Sequence, residues 1–175
     1  MRMITSTAFA ISMLACSLSM AAAPQLHVRK TITIDASAAK VWKMVKDFDS
    51  LGAWHPAVAK DEIVEGTNNS VGAVRLLTLK GGGTIKEKLL KFDGAGHSFK
   101  YTILEGVLPV SDYFSSLSVT SVGKHQALVT WSGRFKRKNV GDNPADNEND
   151  KTAVDTISAV YKAGLDNLKK IAEAN

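Results

Sequence analysis

The chain is poor in the residues that support covalent and metal chemistry. Of its 175 residues, only one is cysteine and four are histidine. The cysteine, Cys16, lies in a leading segment that we expect to be removed. Without it, disulfides, thiolate catalysis, cysteine-ligated zinc and covalently attached c-type haem are excluded together. The histidines, which are His27, His55, His97 and His125, lack the spacing of metal ligands, so the sequence predicts no metal site and no cofactor.

Several motifs of enzymes and of nucleic-acid-binding proteins are also missing. There is no Gly-x-Ser-x-Gly elbow of a hydrolase, and the glycines at Gly81–Gly83 are not followed by the Lys-Ser/Thr pair of a phosphate-binding loop. Apart from a run between Arg134 and Lys138, basic residues occur singly or in short pairs, and the formal net charge is only +5. These absences argue against a hydrolase, a nucleotide-binding protein and a nucleic-acid-binding protein.

What the sequence does contain begins with the pattern of an export signal at residues 1–23. Arg2 supplies the positive start, Ile4–Met20 carries no charge, and Ala21–Ala23 are small residues suited to cleavage. Serine and threonine dilute the uncharged stretch, whereas a membrane-spanning helix needs about 20 strongly apolar residues. We therefore predict cleavage after Ala21, no membrane span, and a periplasmic or secreted protein.

Two alternatives to simple cleavage stay open. One is that the segment is retained as an anchor. The other is acylation of Cys16, which follows Met13–Ala15 in a pattern that loosely resembles a bacterial lipobox and would tether the protein to a membrane. Our domain assignment separates the signal at residues 1–23 from residues 24–175, which have the length expected of one domain. Loss of Arg2 without any acid lowers the formal net charge from +5 to +4.

The first part of residues 24–175 combines a strand pattern with two helix patterns. Apolar residues recur with period two in Leu26–Ile34, which indicates a strand with one buried face. Ser37 is a suitable N-cap for a short helix with an apolar face over Val41–Phe48. The apolar pattern continues to Trp54, and Pro56 disfavours helix at the residue before it. We therefore expect one strand and then two short helices.

The rest of the chain predicts a sheet covered by one helix. From Val58 to Lys138, period-two segments are separated by turn residues, as in an antiparallel meander. After the polar loop Asn139–Asp150, apolar residues recur at helical spacing from Val154 to Ile171. A curved sheet cannot cover its own apolar concave face, so the terminal helix must lie across it. The ends of that face can then remain open as a cavity.

A set of short patterns, in this order and spacing, resembles a known superfamily. The patterns are Val41-Trp42 with Asp47-Phe48, Trp54-His55-Pro56, Gly72 with Arg75, Gly81–Gly83 followed by Glu87, Tyr101, Leu108–Tyr113, Trp131 with Phe135, and Gly164-Leu165 with Leu168. Over residues 26–172 they resemble the START and Bet v 1-like superfamily, which includes bacterial polyketide cyclases and lipid-transport-like proteins. The resemblance implies an α+β helix-grip fold, a curved antiparallel sheet around a long C-terminal helix, with two short helices after the first strand.

The resemblance also carries expectations about function. It implies that the Gly81–Gly83 and Leu108–Val110 loops flank the mouth of the cavity, where three glycines allow one loop to move at low cost. Within the superfamily, an exported member of this size is similar to the small periplasmic proteins encoded beside methanol dehydrogenase in methylotrophic bacteria. That similarity implies assistance to electron transfer from methanol dehydrogenase to its cytochrome, and hence a periplasmic redox enzyme as a partner.

Glu87 is the candidate catalytic residue. A carboxylate on an otherwise apolar strand face is desolvated, its pKa rises, and it can then donate or accept a proton. The alternative is a structural role, in which a buried Glu87 pairs with Arg75, Lys86 or Lys88, or orients a bound ligand by hydrogen bonding.

Other inner-face side chains are candidates for ligand contact. Tyrosine, serine and arginine side chains could fix the polar end of a ligand, although tyrosines on a core face more often serve packing. For His55, a role in holding the turn competes with a role as general base. The full set predicted to contact a ligand is Trp54, Arg75, Glu87, Tyr101, Ile103, Leu108, Pro109, Tyr113, Ser115, Leu117, Trp131, Ile157 and Tyr161.

Two functions therefore compete at this stage. The favoured one is a non-catalytic accessory or carrier, which holds a small apolar molecule in its cavity or docks a periplasmic redox enzyme. The alternative is an enzyme of the aromatase, cyclase or dehydratase type, in which Glu87 works with Tyr101 or Tyr113 in proton transfer at a polyketide-like or other carbonyl substrate. The shortage of paired acid and base groups favours the first.

Overall fold

A computed structural model describes residues 23–174 of the chain. The predicted cleavage site and Cys16 lie outside the described residues. Within them, the chain forms seven strands, three α-helices and one turn of 3-10 helix at Asp146–Glu148. The elements are β1 Leu26–Ile34, α1 Ala38–Val45, α2 Leu51–Trp54, β2 Val58–Glu65, β3 Val74–Leu79, β4 Thr84–Asp93, β5 Ser98–Gly106, β6 Val110–Gly123, β7 Gln126–Arg137 and α3 Asp150–Glu173.

The seven strands form one antiparallel sheet in the order β1-β7-β6-β5-β4-β3-β2. Strands β2 to β7 are neighbours in sequence as well as in space, which is the predicted meander. The first strand, β1, instead pairs with the last, from Leu26 opposite Phe135 to Ile34 opposite Ala127. Helices α1 and α2 connect the two edges of the sheet. The predicted α+β fold, with two short helices after the first strand, is confirmed.

Local sequence signals account for the helix ends. The Ser37 side chain accepts a hydrogen bond from the Lys40 backbone N–H, so it caps α1 as predicted. Helix α2 ends at Trp54, and His55 is extended, as a residue before proline must be. At the start of α3, the Asn149 side chain accepts from the Thr152 N–H. The exposed face of α3 carries three ion pairs at i,i+4 spacing, which are Lys151 with Asp155, Lys162 with Asp166, and Lys169 with Glu173.

Helix α3 packs on the concave face of the sheet and closes the core. Its buried side chains include Ile157, Tyr161, Leu165 and Leu168. Gly164 lets the helix come close to its neighbours, since a Cβ atom there would lie 2.6 Å from Cδ2 of His55 and 2.8 Å from Cζ3 of Trp131. The sheet and α3 therefore meet through large aromatic side chains, and these decide how much space remains inside.

Candidate functional site

The interior contains a buried ionic cluster built by β2, β3 and β4. Arg75 and Glu87 are directly opposite each other on β3 and β4, and Arg75 Nε donates to Glu87 Oε2 over 2.8 Å. Arg75 Nη2 lies 2.6 Å from the same oxygen, and Nη1 lies 3.4 Å from Asp61 Oδ2. The side chains of Arg75, Glu87 and Asp61 are 3%, 6% and 2% exposed. The structure thus pairs Glu87 with Arg75, as the non-catalytic interpretation of Glu87 predicts.

Burial controls the protonation of the two acids. It raises the pKa of Glu87 above its usual value, and the charge and hydrogen bond of Arg75 act in the opposite direction. Burial likewise raises the pKa of Asp61, to about 6, against the opposing charge of Arg75. Asp61 Oδ2 accepts from the Leu51 backbone N–H at the start of α2, whereas Oδ1 is buried without a partner among residues 23–174.

Asp61 is a member of the cluster that the sequence does not reveal. It lies between Lys60 and Glu62, and such a charged run is typical of an exposed strand. Strand β2 is irregular, with shifts in its pairing to β3 between Val58 and Lys60 and again after Ile63. Because a β-bulge changes which side chains face inward, a strict period-two interpretation fails here. No signal in the local sequence distinguishes this carboxylate from its exposed neighbours.

A second polar network links the tyrosines on the inner face. Tyr161 on α3 shares hydrogen bonds with Tyr113 Oη at 2.5 Å and with Ser115 Oγ at 2.8 Å. Trp131 Nε1 donates to Tyr101 Oη over 2.9 Å and is 3.2 Å from Ser115 Oγ. Burial raises the pKa of Tyr101 to about 12 and the pKa values of Tyr113 and Tyr161 well above 10. These phenols are therefore neutral at ordinary pH, and each already has a hydrogen-bond partner within the network.

The space left between the sheet and α3 is a small chamber of about 70 Å³. Typical small-molecule pockets have about 300–1,000 Å³, so most of the interior is filled. The rings that fill it contact one another closely, as in the stack of Trp131 on Tyr161 with centroids 4.4 Å apart. The chamber is lined by Leu51, His55, Ala57, Val58, Leu77, Leu79, Ile85, Glu87, Tyr101, Leu108, Tyr113, Trp131, Ile157 and Val160.

The structure brings together only part of the predicted ligand-contact set. Six of its members line the chamber, namely Glu87, Tyr101, Leu108, Tyr113, Trp131 and Ile157. Trp54, Arg75 and Leu117 instead surround a neighbouring void too small for a water molecule. Ser115 and Tyr161 belong to the hydrogen-bond network, and Ile103 lines a groove on the outside of the sheet. Pro109 borders neither the chamber nor that groove.

Two loops meet at one end of the chamber. Leu79 and Ile85, on either side of Gly81–Gly83, line the chamber together with Leu108 from the loop between β5 and β6. Gly83 has φ of +82° and approaches Val107 so closely that a Cβ atom would collide with the valine side chain. Only glycine fits this left-handed backbone and this close contact. That this end of the chamber is its mouth, as the superfamily resemblance implies, stays a prediction.

The sheet also splits beside the chamber. Strands β5 and β6 pair from Ser98 opposite Ser118 to Thr102 opposite Phe114 and then separate. The gap is an outer groove of about 500 Å³, and Leu108 and Tyr113 line both this groove and the chamber. Two side chains therefore form part of the wall that divides the chamber from the outside.

His55 uses both of its ring nitrogens within the fold. Nε2 lies 3.0 Å from the Val160 carbonyl oxygen, and Nδ1 accepts from the Ala57 backbone N–H over 3.2 Å. Burial lowers the pKa of His55, which favours the neutral ring that these two bonds require. The ring thus ties the turn after α2 to α3, as expected for a residue that holds the turn.

Neither a metal centre nor a membrane-spanning helix is found in the described part of the chain. Residues 23–174 contain no group of three or more histidine, cysteine, aspartate or glutamate side chains arranged to hold a metal ion. None of their helices combines the length and the apolar character needed to cross a bilayer.

The fold and the inner-face residues define a class of protein with known relatives. The family described as polyketide cyclase / dehydrase and lipid transport matches residues 25–173, and the chain belongs to this family. The superfamily resemblance seen in the sequence is thereby confirmed.

Solved structures of several relatives are similar over most of the chain. The protein XoxI from Bacillus cereus is 29% identical, with 83% of this chain and 94% of that one covered and a TM-score of 0.72. An uncharacterised protein from Bacillus thuringiensis is 28% identical, with 84% and 98% covered and a TM-score of 0.73. The Zhui aromatase/cyclase from Streptomyces sp. R1128 is 21% identical, with 86% and 94% covered and a TM-score of 0.67, and it supports the fold alone.

Proposed function

We propose that the protein is a non-catalytic binding protein that holds a small apolar molecule between the sheet and α3. The observation that carries this proposal is the chamber itself, whose wall is mostly aliphatic and aromatic and whose polar groups are few. His55, Glu87, Tyr101 and Tyr113 supply those polar groups, and such a mixture suits a ligand with one polar end. Membership of a family that includes lipid-transport proteins supports the same class of ligand.

The chemistry of the wall favours binding over catalysis. A general acid or base needs a pKa near the working pH and reach to the substrate. Glu87 is held by Arg75, and the high pKa values of Tyr101 and Tyr113 leave almost no phenolate at ordinary pH to act as a base. The arrangement lacks the free acid and base pair that the aromatase, cyclase or dehydratase hypothesis requires.

The chamber's size sets a limit on the ligand. One water molecule needs about 10–15 Å³ of such space, so about 70 Å³ admits a molecule of few non-hydrogen atoms. A larger ligand requires the wall to open. The Gly81–Gly83 loop and Leu108 are the parts of the wall best suited to open, since they lie at the chamber's end and beside the gap between β5 and β6.

We further propose that the protein is exported and assists a periplasmic methanol dehydrogenase in electron transfer to its cytochrome. The signal pattern of residues 1–23 and the resemblance to the accessory proteins of methanol oxidation support this role. Cell fractionation should recover the shortened protein from the periplasm. A gene neighbourhood with a quinoprotein alcohol dehydrogenase and its cytochrome would strengthen the assignment, whereas ketosynthase genes would argue for the enzymatic alternative.

A titration with benzene tests the chamber directly. Amide chemical shifts around the chamber should change with benzene concentration, and the indole fluorescence of Trp131, which lines the wall, should change with them. Val160→Phe fills the chamber and should abolish these changes. Val154→Phe is the matched control, because Val154 is a partly buried valine on the same helix that does not line the chamber.

Two results would oppose the proposal. One is benzene-dependent shifts that persist in Val160→Phe, since the probe would then bind elsewhere. The other is a protein that shows no response to benzene, carries no small molecule in native mass spectrometry after purification from its own periplasm, and turns over a polyketide mimic. The second result would favour the enzyme.

A further inference from the structure

A large groove lies on the outer face of the sheet. Its volume is about 680 Å³, almost ten times that of the chamber. It crosses strands β1, β7, β6, β5 and β4. The residues around it are His27, Val28, Arg29, Leu90, Lys91, Lys100, Tyr101, Phe114, Ser115, Ser116, Ser132, Gly133 and Arg134. None of them is acidic.

The charged side chains of this groove, which we call the basic groove, are cations without acidic partners. Arg29, Lys91, Lys100 and Arg134 come from four different strands, and within the described residues none of them has a carboxylate within 4.0 Å. Some cations elsewhere on the same sheet are paired with acids. Lys86, for example, pairs with Glu65, and Lys136 pairs with Asp112. The groove therefore gathers four unpaired cations from four strands.

The strand register places two lysines opposite each other. Lys91 on β4 is the direct cross-strand neighbour of Lys100 on β5. On the other side of the groove, His27 on β1 is opposite Arg134 on β7. Like charges directly opposite in an antiparallel pair destabilise the sheet. Folding alone does not account for the Lys91 and Lys100 pair, whereas an anion bound between the two sides would neutralise it.

The floor of the groove is formed by small polar side chains. Ser116 and Ser132 lie between the two sets of cations, and their hydroxyl groups are 3.0 Å apart. Small side chains here leave the channel open and offer O–H groups to an acceptor. At the wall, the Arg134 guanidinium lies over the ring of Phe114, 4.6 Å from its centroid, and this cation–π contact orients the arginine.

We propose that the basic groove is a docking site for an acidic segment of another protein, bound in an extended conformation across the strands. Carboxylates of the segment would pair with the cations on the two sides, and its backbone or side-chain oxygens would accept from the serine hydroxyls. Shape favours a peptide over a membrane, because the cations flank a recess that a flat bilayer cannot enter. The groove and the chamber share one lining residue, Tyr101, and the proposal does not depend on a ligand in the chamber.

A synthetic oligoglutamate peptide is the probe, and oligoglutamine of the same length controls for charge. We expect oligoglutamate to bind the full-length protein in fluorescence anisotropy, more weakly as salt increases. Lys91→Gln with Lys100→Gln should weaken binding by about tenfold or more. The matched control is Lys151→Gln with Lys162→Gln, which removes the same charge from the exposed face of α3 and should leave the affinity within about twofold.

Stability provides a second readout that a general loss of charge would not give. The Lys91 and Lys100 variant should melt at a higher temperature than the parent protein, because it removes a repulsive cross-strand pair. The control variant loses two i,i+4 ion pairs and should melt at the same or a slightly lower temperature.

The outcomes separate this proposal from its competitors. Failure of oligoglutamate to bind, or equal binding by the Lys91 and Lys100 variant and the parent, would overturn it. Binding to phosphatidylglycerol vesicles that depends on these lysines, without binding to oligoglutamate, would overturn it in favour of a lipid surface. Weaker peptide binding with unchanged benzene binding would support it and would show that the groove and the chamber act independently.

Discussion

The two faces of the sheet differ in whether their charged side chains have partners of opposite charge. On the inner face, Arg75 is buried against Glu87 and Asp61, and nearly every polar atom has a partner. On the outer face, Lys91 and Lys100 stand opposite each other with no carboxylate nearby in the described part of the chain. The inner arrangement holds the fold together, whereas the outer one costs stability. Unpaired like charges on a regular sheet therefore point more directly to a partner than the buried carboxylate does.

The largest expected effect comes from breaking the inner ion pair. Arg75→Met leaves Glu87 and Asp61 buried without their cation and should lower the free energy of unfolding by about 3–5 kcal/mol. Urea denaturation followed by tryptophan fluorescence measures the change. The matched surface control is Lys86→Met, which removes the half-exposed pair with Glu65 and should cost no more than about 1 kcal/mol.

A double variant that replaces both partners of the ion pair provides a second test. Arg75→Met with Glu87→Met replaces the ion pair with apolar side chains of similar size and should recover much of the lost stability. Arg75→Met alone could lower the free energy of unfolding as little as Lys86→Met does. In that case the cluster contributes less to stability than its burial implies, and the contrast between the two faces fails.

The next effect concerns pH and the buried Asp61. Its pKa is raised from 3.8 to about 6 in the folded protein, so the folded state holds this proton more tightly than the unfolded state. The stabilisation that results is complete below about pH 4 and is lost as the pH rises through about 6. The loss amounts to at most about 3 kcal/mol, since one pKa unit corresponds to about 1.4 kcal/mol.

Comparison with Asp61→Asn isolates this contribution. The difference in the free energy of unfolding between the parent protein and Asp61→Asn should shift against the parent as the pH rises from about 4 to about 7. Denaturation curves at a series of pH values supply the measurement. A difference that is constant over this range would mean that Asp61 titrates normally and that Arg75 fully offsets its burial.

The sequence predicted the elements well and the interior poorly, and the reason is the range of the interactions. Turn residues such as Gly81–Gly83 and the helix cap Ser37 act locally, so strand order and helix positions could be predicted. The size of the chamber depends instead on distant residues, for example Trp131 on β7 stacking on Tyr161 of α3. Spacing along the chain cannot reveal how completely such rings fill a space.

The same limit applied to the candidate sites. Glu87 stood out because its neighbours on the strand are apolar, whereas Asp61 was hidden among charged residues on an irregular strand. The Lys91 and Lys100 pair was missed because it depends on the β4 and β5 register, which includes a shift between Leu89 and Lys91. Export, and the role in methanol oxidation, stay predictions.

The smallest expected effect is on the outer face, where substitution should raise the free energy of unfolding instead of lowering it. Lys100→Gln should raise the free energy of unfolding by about 0.2–1 kcal/mol, because it removes the repulsion from Lys91. Lys91→Gln should give a similar gain, and the double variant should gain less than the sum of the two, since either substitution already removes the repulsion. A fully additive pair, or a loss of stability in either single variant, would show that the lysines do not repel each other. In that case the outer face would resemble any solvated surface, and the two lysines would no longer indicate an acidic partner.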